Sequence, residues 1–206
     1  MSQNLSQIDY YLTATSPYVY FAGREPAEIA ARHGLRLVYR PVDPSALFAR
    51  TGGVMLPDRH ESRKAYRLQD LRRQAARRGL PMNIQPRHFP TNPAPAGYAI
   101  IAAQATVEAG QGGDIHALVQ GLTRACWEEE RDLADDAVIR DCLSAAGFDP
   151  GLAMSGLLTG AETYARNLEA AMAAGVFGFP FFVVGEERFW GQDRLADLDH
   201  FLAGAA

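Results

Sequence analysis

Only two cysteines occur in the chain, Cys126 and Cys142, sixteen positions apart. No C-x-x-C pair and no paired metal-ligand spacing is present, so a redox dithiol motif and a cysteine-based metal knuckle are both excluded. The two thiols read as buried, reduced side chains in helices of a cytoplasmic protein. His33, His60, His88, His116 and His200 are scattered, which gives no support for a metal site. No apolar run approaches the roughly 20 residues that span a bilayer, so no membrane partner is expected. The stretch Met1-Ser2-Gln3-Asn4-Leu5 has neither a basic start nor an apolar core, which argues against secretion. Internal repeats and low-complexity tracts are absent. A net charge of −4 speaks against a nucleic-acid surface spread over the protein, while leaving room for a local basic pocket.

What is present is ordinary globular composition in 206 residues, enough for one large domain or a domain carrying an insertion. Ile8 to Leu12 reads as a strand running into a helix at Ser16-Pro17-Tyr18. Ser caps a first-turn amide with its hydroxyl, and Pro suits the first helical position because its missing N–H costs nothing there. Tyr18 to His33 is helical in spacing, with Pro26 marking a kink or a division into two pieces. Leu35 to Arg40 alternates between Gly34 and Pro41 and reads as a second strand, completing a βαβ unit with parallel neighbours. Pro41 to Pro57 reads as a loop with one helical turn around Ser45 to Ala49.

A basic helix follows from His60 to Arg78, then a proline-rich loop from Met82 to Pro95. Helices are expected over 96–109, 115–129, 136–146, 151–158 and 162–174. Phe181 to Val184 and Arg188 to Trp190 form a strand pair around Gly185-Glu186-Glu187, and Asp193 is placed to cap a last helix over 195–202. The fold class is therefore α/β: a thioredoxin-like domain from residues 6–50 and 160–206, with a large all-helical insertion over 51–159.

Two distant features converge in such a fold. Gly175-Val176-Phe177-Gly178-Phe179-Pro180 suits a tight turn with a cis X–Pro bond at the entrance to a buried strand. That loop would leave the backbone of Phe179 facing outward beside the start of the first helix, where Ser16 stands.

Ser16-Pro17-Tyr18, Asp70-Leu71-Arg72-Arg73, the Gly175–Pro180 loop and Phe189-Trp190-Gly191-Gln192-Asp193-Arg194 together resemble the 2-hydroxychromene-2-carboxylate isomerases. These are relatives of kappa-class glutathione transferases and, more distantly, of thioredoxin-like disulfide oxidoreductases. The resemblance runs from about residue 8 to 203. It implies glutathione as cofactor, held by Ser16, Phe179, Pro180, Gln192, Asp193 and Arg194. Ser16 is the implied catalytic residue, standing where a redox relative has its attacking cysteine. A hydroxyl there can hydrogen-bond a sulfur and favour its thiolate. The implied partner is a small aromatic carboxylate whose double bond isomerises after reversible thiolate addition, and a homodimer is a further implication.

Candidate substrate contacts are Tyr18, Phe48, Arg50 and Asn92. The family pattern of Lys and Asn after the second strand is broken at Ala49 and Gly53, with Arg50 turned about 100° away from position 49 on a helical turn. Arg63, Lys64, Arg67, Arg72, Arg73, Arg77 and Arg78 read mainly as a solvated face, although any arginine turned toward Ser16 could bind a carboxylate with two hydrogen bonds. The competing readings are a kappa-like transferase or peroxidase that consumes glutathione, and a non-catalytic glutathione- or protein-binding module.

Overall fold

A computed structural model describes residues 5–205. Four strands form one mixed sheet in the order β2-β1-β3-β4. Strand β1 (Gln7–Leu12) pairs in parallel with β2 (Arg36–Pro41), Ile8 lying opposite Leu37 and Tyr10 opposite Tyr39. On its other side β1 runs antiparallel to β3 (Phe181–Val184), which pairs antiparallel with β4 (Glu187–Trp190). The central strands carry apolar residues on both faces: Ile8, Leu12, Phe181 and Phe182 are almost wholly buried. Such strands must be covered on both sides. At the edge, β4 is largely exposed.

Between β1 and β2 the chain forms two helices, α1 (Pro17–Ala22) and α2 (Glu25–Arg32), so the division expected at Pro26 is real. Pro26 sits in the first turn of α2, where proline is tolerated. Helix α3 (Pro44–Thr51) is a full eight residues rather than one turn. Its start is built by Asp43, whose carboxylate accepts from the Ser45 and Ala46 amides at 2.8 and 3.4 Å, with Pro44 following as a helix initiator. The prolines and glycines that suggested a loop are its boundaries.

The middle of the chain is helical, as its lack of strand patterning predicts. Helix α4 (Glu61–Arg78) buries only Leu71 and Ala75. Helix α5 (Ala94–Glu108) is apolar on nearly all sides and lies in the interior. It packs on β2 and on α9 (Leu157–Ala173), and α6 (Ile115–Trp127) packs on α1. Helix α7 (Asp136–Ala145) and the short α8 (Leu152–Ser155) follow. Helix α9 (Leu157–Ala173) begins earlier than expected, so the boundary drawn at residue 160 falls inside it. Gly160 is a contact point: a Cβ there would stand 2.7 Å from Cβ of Tyr98 on α5. Buried Asn167 donates to the Pro41 carbonyl at 3.1 Å and ties α9 to the end of β2. One core cluster runs through strands and helical segment alike.

The final helix, α10 (Leu195–Ala205), is preceded by a tight turn over Gln192–Arg194. Asp193 lies inside that turn, and among the described residues no backbone amide donates to its carboxylate. The expected capping role is therefore replaced by the turn itself, which leaves the carboxylate exposed.

Cys126 on α6 and Cys142 on α7 are both buried. Burial pushes their thiols up to about 12 and about 11. We expect iodoacetamide at mildly alkaline pH to leave both unmodified in the native protein and to alkylate both after denaturation. Rapid labelling of the native chain would contradict the burial. No helix among the described residues is long and apolar enough to cross a membrane. No group of three His, Cys, Asp or Glu among them is placed to hold a metal ion.

Candidate active site

The C-terminal end of β1, the start of α1 and the loop before β3 meet at a cleft with two adjoining lobes. The first, about 540 Å³, is mostly apolar and contains Ser16, Phe48, Phe177 and Phe179 in its wall. The second, about 690 Å³, is more polar and is lined by Gln192, Asp193, Arg194 and Asp70. Tyr18, Arg59, Arg63, Arg67, Phe179 and Trp190 line both lobes and mark their junction. Both volumes are in the range of small-molecule sites.

Ser16 caps α1 as its sequence suggests. The hydroxyl oxygen accepts from the Val19 amide at 3.4 Å, a long bond, and the residue is only 9% exposed. Among the described residues its proton is committed to no acceptor, so it is available to a ligand in the apolar lobe. The neighbouring Tyr18 amide also lacks an intramolecular acceptor among these residues. Six residues make α1 short, so its influence on an anion comes from such local donors rather than from a long helix dipole.

The Phe179-Pro180 peptide is cis. Neither the amide nor the carbonyl of Phe179 takes part in a hydrogen bond among the described residues, although the residue is only 8% exposed. The Pro180 carbonyl is occupied, accepting from the Gly191 amide at 2.9 Å. Phe179 thus presents an unused strand edge to the cleft, while Pro180 fixes that edge from behind.

Tyr18 donates to Asp70 Oδ2 at 3.2 Å. Burial first, and then the neighbouring carboxylate, push the phenol up to about 12, so it remains a hydrogen-bond donor at physiological pH. Phe48 projects into the apolar lobe 6.3 Å from the Phe179 ring. It explains Gly53: a Cβ there would lie 2.7 Å from the Phe48 ring, so a side chain at 53 and this position of Phe48 exclude each other.

Two candidates do not reach the cleft. Arg50 points to α9, where it makes two hydrogen bonds to Glu169 at 2.5 and 3.1 Å. Asn92 accepts from the Ala94 amide at 3.1 Å and builds the approach to α5, while its neighbours Thr91 and Pro93 line the apolar lobe. Conversely, Arg59, Arg63 and Arg67 all face the cleft, and Arg59 was absent from the sequence candidates. The missed signal is their spacing of four, which puts Arg63 and Arg67 on one helical face and Arg59 on the lead-in directly before it.

The sheet, the cis-proline loop and the helical segment between the two halves define a DSBA-like thioredoxin domain. The chain belongs to that family, whose model matches residues 7–203. Within it, the chain is similar to the 2-hydroxychromene-2-carboxylate isomerase of Sphingobium xenophagum, with 28% identity over 201 residues covering 95% of this chain and 97% of that protein. A solved structure of a 2-hydroxychromene-2-carboxylate isomerase superposes with a TM-score of 0.75 at 26% identity, covering 96% of this chain and 94% of the other. The cytosolic disulfide reductase DsbM of Pseudomonas aeruginosa, solved with GSH, shares the fold with a TM-score of 0.65 at 21% identity, covering 96% and 98% of the two chains.

Proposed function

We propose that the protein is a glutathione-dependent isomerase acting on an aromatic carboxylate of the 2-hydroxychromene-2-carboxylate type and yielding a ring-opened trans-o-hydroxybenzylidenepyruvate. The observation that carries this reading is the Ser16 hydroxyl, nearly buried at the wall of an apolar lobe with its proton uncommitted. Neither cysteine lines the cleft, so thiol chemistry there must be brought by a ligand.

The residues present suit glutathione. The open edge of Phe179 matches a peptide backbone, which pairs with a strand edge without regard to side chains. Asp193 is exposed in the polar lobe and can accept from an ammonium group, with Gln192 and Arg194 beside it for a carboxylate. Bound glutathione would supply a nucleophilic thiol for reversible addition to a conjugated double bond. Ser16 donates to the sulfur and favours its anionic form, which lowers the thiol pKa. Phe48, Phe177 and Trp190 give an aromatic ring an apolar surface and exclude water from it. Tyr18, at the junction, keeps its proton and offers a polar edge between the two ligands. The similarity to proteins named as isomerases, and to a fold-mate solved with GSH, supports the same assignment.

The test mixes protein, glutathione and 2-hydroxychromene-2-carboxylate. An absorbance change with free thiol conserved and a strict requirement for glutathione is expected. Stoichiometric loss of thiol would replace this reading with a transferase, and no change in absorbance would refute it.

A further inference from the structure

The two lobes meet at three guanidinium groups, Arg59, Arg63 and Arg67, which pair with no acid among the described residues. Arg59 donates through Nε to the Val54 carbonyl at 2.8 Å, which fixes its direction. Arg67 is half-buried, its guanidinium 5.4 Å from the Phe89 ring centre and 5.7 Å from that of Trp127. Arg63 is exposed at the mouth and makes no ion pair among the described residues. Burial lowers the pKa values of Arg59 and Arg67; Arg63 lowers that of Arg59 further, and for Arg67 the nearby Tyr18 opposes the lowering more than Arg59 adds to it. Among the described residues, the acids lining the cleft make no ion pair with these three arginines. Asp43 caps α3, Asp70 accepts from Tyr18, and Asp193 lies 3.8 Å from Arg194.

The rest of the basic helix behaves differently. Arg73 covers Tyr66 and pairs with Asp70 at 3.9 Å, and Arg78 donates to the Phe21 carbonyl at 3.2 Å. Only the N-terminal half of α4 and its lead-in turn charge toward the cleft. An anion placed among the three arginines relieves their mutual repulsion as well as gaining charge-assisted hydrogen bonds.

We propose that Arg59, Arg63 and Arg67 form the subsite for the carboxylate of the aromatic substrate, an assignment that rests on the isomerase reading above. Glutathione also carries carboxylates, but the polar lobe has Arg194 in addition, whereas these three are the only cationic side chains lining the apolar lobe among the described residues. The aromatic body then lies against Phe48 and Phe177 with its acid end at the lobe junction. Specificity follows from the same arrangement: an amide or ester of the same shape would leave three cations without a partner.

The test uses trans-cinnamate and trans-cinnamamide, flat aromatic probes with and without the carboxylate, followed by quenching of tryptophan fluorescence without glutathione. Cinnamate is expected to bind roughly tenfold more tightly than the amide. Arg63→Gln and Arg59→Gln should each remove most of that difference while changing glutathione affinity, read by calorimetry, less than twofold. Arg63 is exposed, so its variant keeps the fold and Arg67 need not be altered. Equal binding of the two probes, no measurable cinnamate binding, or variants that weaken glutathione instead would each overturn the assignment. Turnover is read separately: retained discrimination without turnover would refute the isomerase reading and leave the carboxylate subsite standing.

Discussion

Ser16→Ala should lower turnover by about 10- to 100-fold, the loss expected for one hydrogen bond to a charged group. The substitution removes the donor that favours the thiolate and leaves the apolar lobe intact. Its structural cost is small, because the cap it removes is a single 3.4 Å bond from Val19. Loss of a serine cap costs about 0.5–2 kcal/mol, and a bond this long puts the effect at the lower end. The signature is therefore a large fall in activity with a small fall in melting temperature. The pH profile separates the two roles further. With Ser16 present, activity should reach its plateau at lower pH than in the alanine variant, because the hydroxyl's share of the lowering of the thiol pKa is lost on substitution while the backbone donors of α1 remain. Full turnover in the alanine variant would contradict the mechanism.

Trp127→Ala should produce the largest loss of stability among single changes near the site. Trp127 is completely buried, packs with its ring centre 4.9 Å from that of Phe89 at an interplanar angle of 47°, and lies beneath Arg67. Truncating a buried tryptophan costs roughly 3–5 kcal/mol through lost transfer energy and the cavity left behind. For a chain of this size that corresponds to a fall in melting temperature of roughly 6–20 °C. Its buried indole N–H has no partner among the described residues, so the alanine variant forfeits no hydrogen bond, and relief of the unpaired donor puts the loss at the lower end of that range. The same variant removes one wall of the Arg67 seat, so substrate affinity should fall in the surviving folded protein. A melting temperature within a degree of wild type would show that the indole is not part of the packed core.

The four strands and the cis-proline loop were legible because their signals are local. Apolar runs bounded by Gly and Pro leave little choice of conformation, and Pro180 before Phe181 marks the entrance to the sheet. Helix lengths around glycine and proline were less legible. Pro44 and Gly160 have the same residue types as loop signals, yet one starts α3 and the other lets α9 approach α5. Only the packing partner distinguishes these uses. In the site, Ser16, Phe179, Tyr18, Phe48 and the Gln192–Arg194 turn come together in one cleft. Arg50 and Asn92 do not, because each is claimed by a nearer partner, Glu169 and the Ala94 amide. The arginines at the lobe junction were hidden by their number. A basic helix reads as a solvated face until the structure divides it into a half that covers surface and a half that looks into the cleft.

The most direct test of the account is a crystal structure of the protein with glutathione. The glutathione sulfur is expected within hydrogen-bonding distance of the Ser16 hydroxyl, its cysteinyl backbone paired with Phe179, and its γ-glutamyl end at Asp193. Glutathione bound elsewhere, or a sulfur directed away from Ser16, would contradict it.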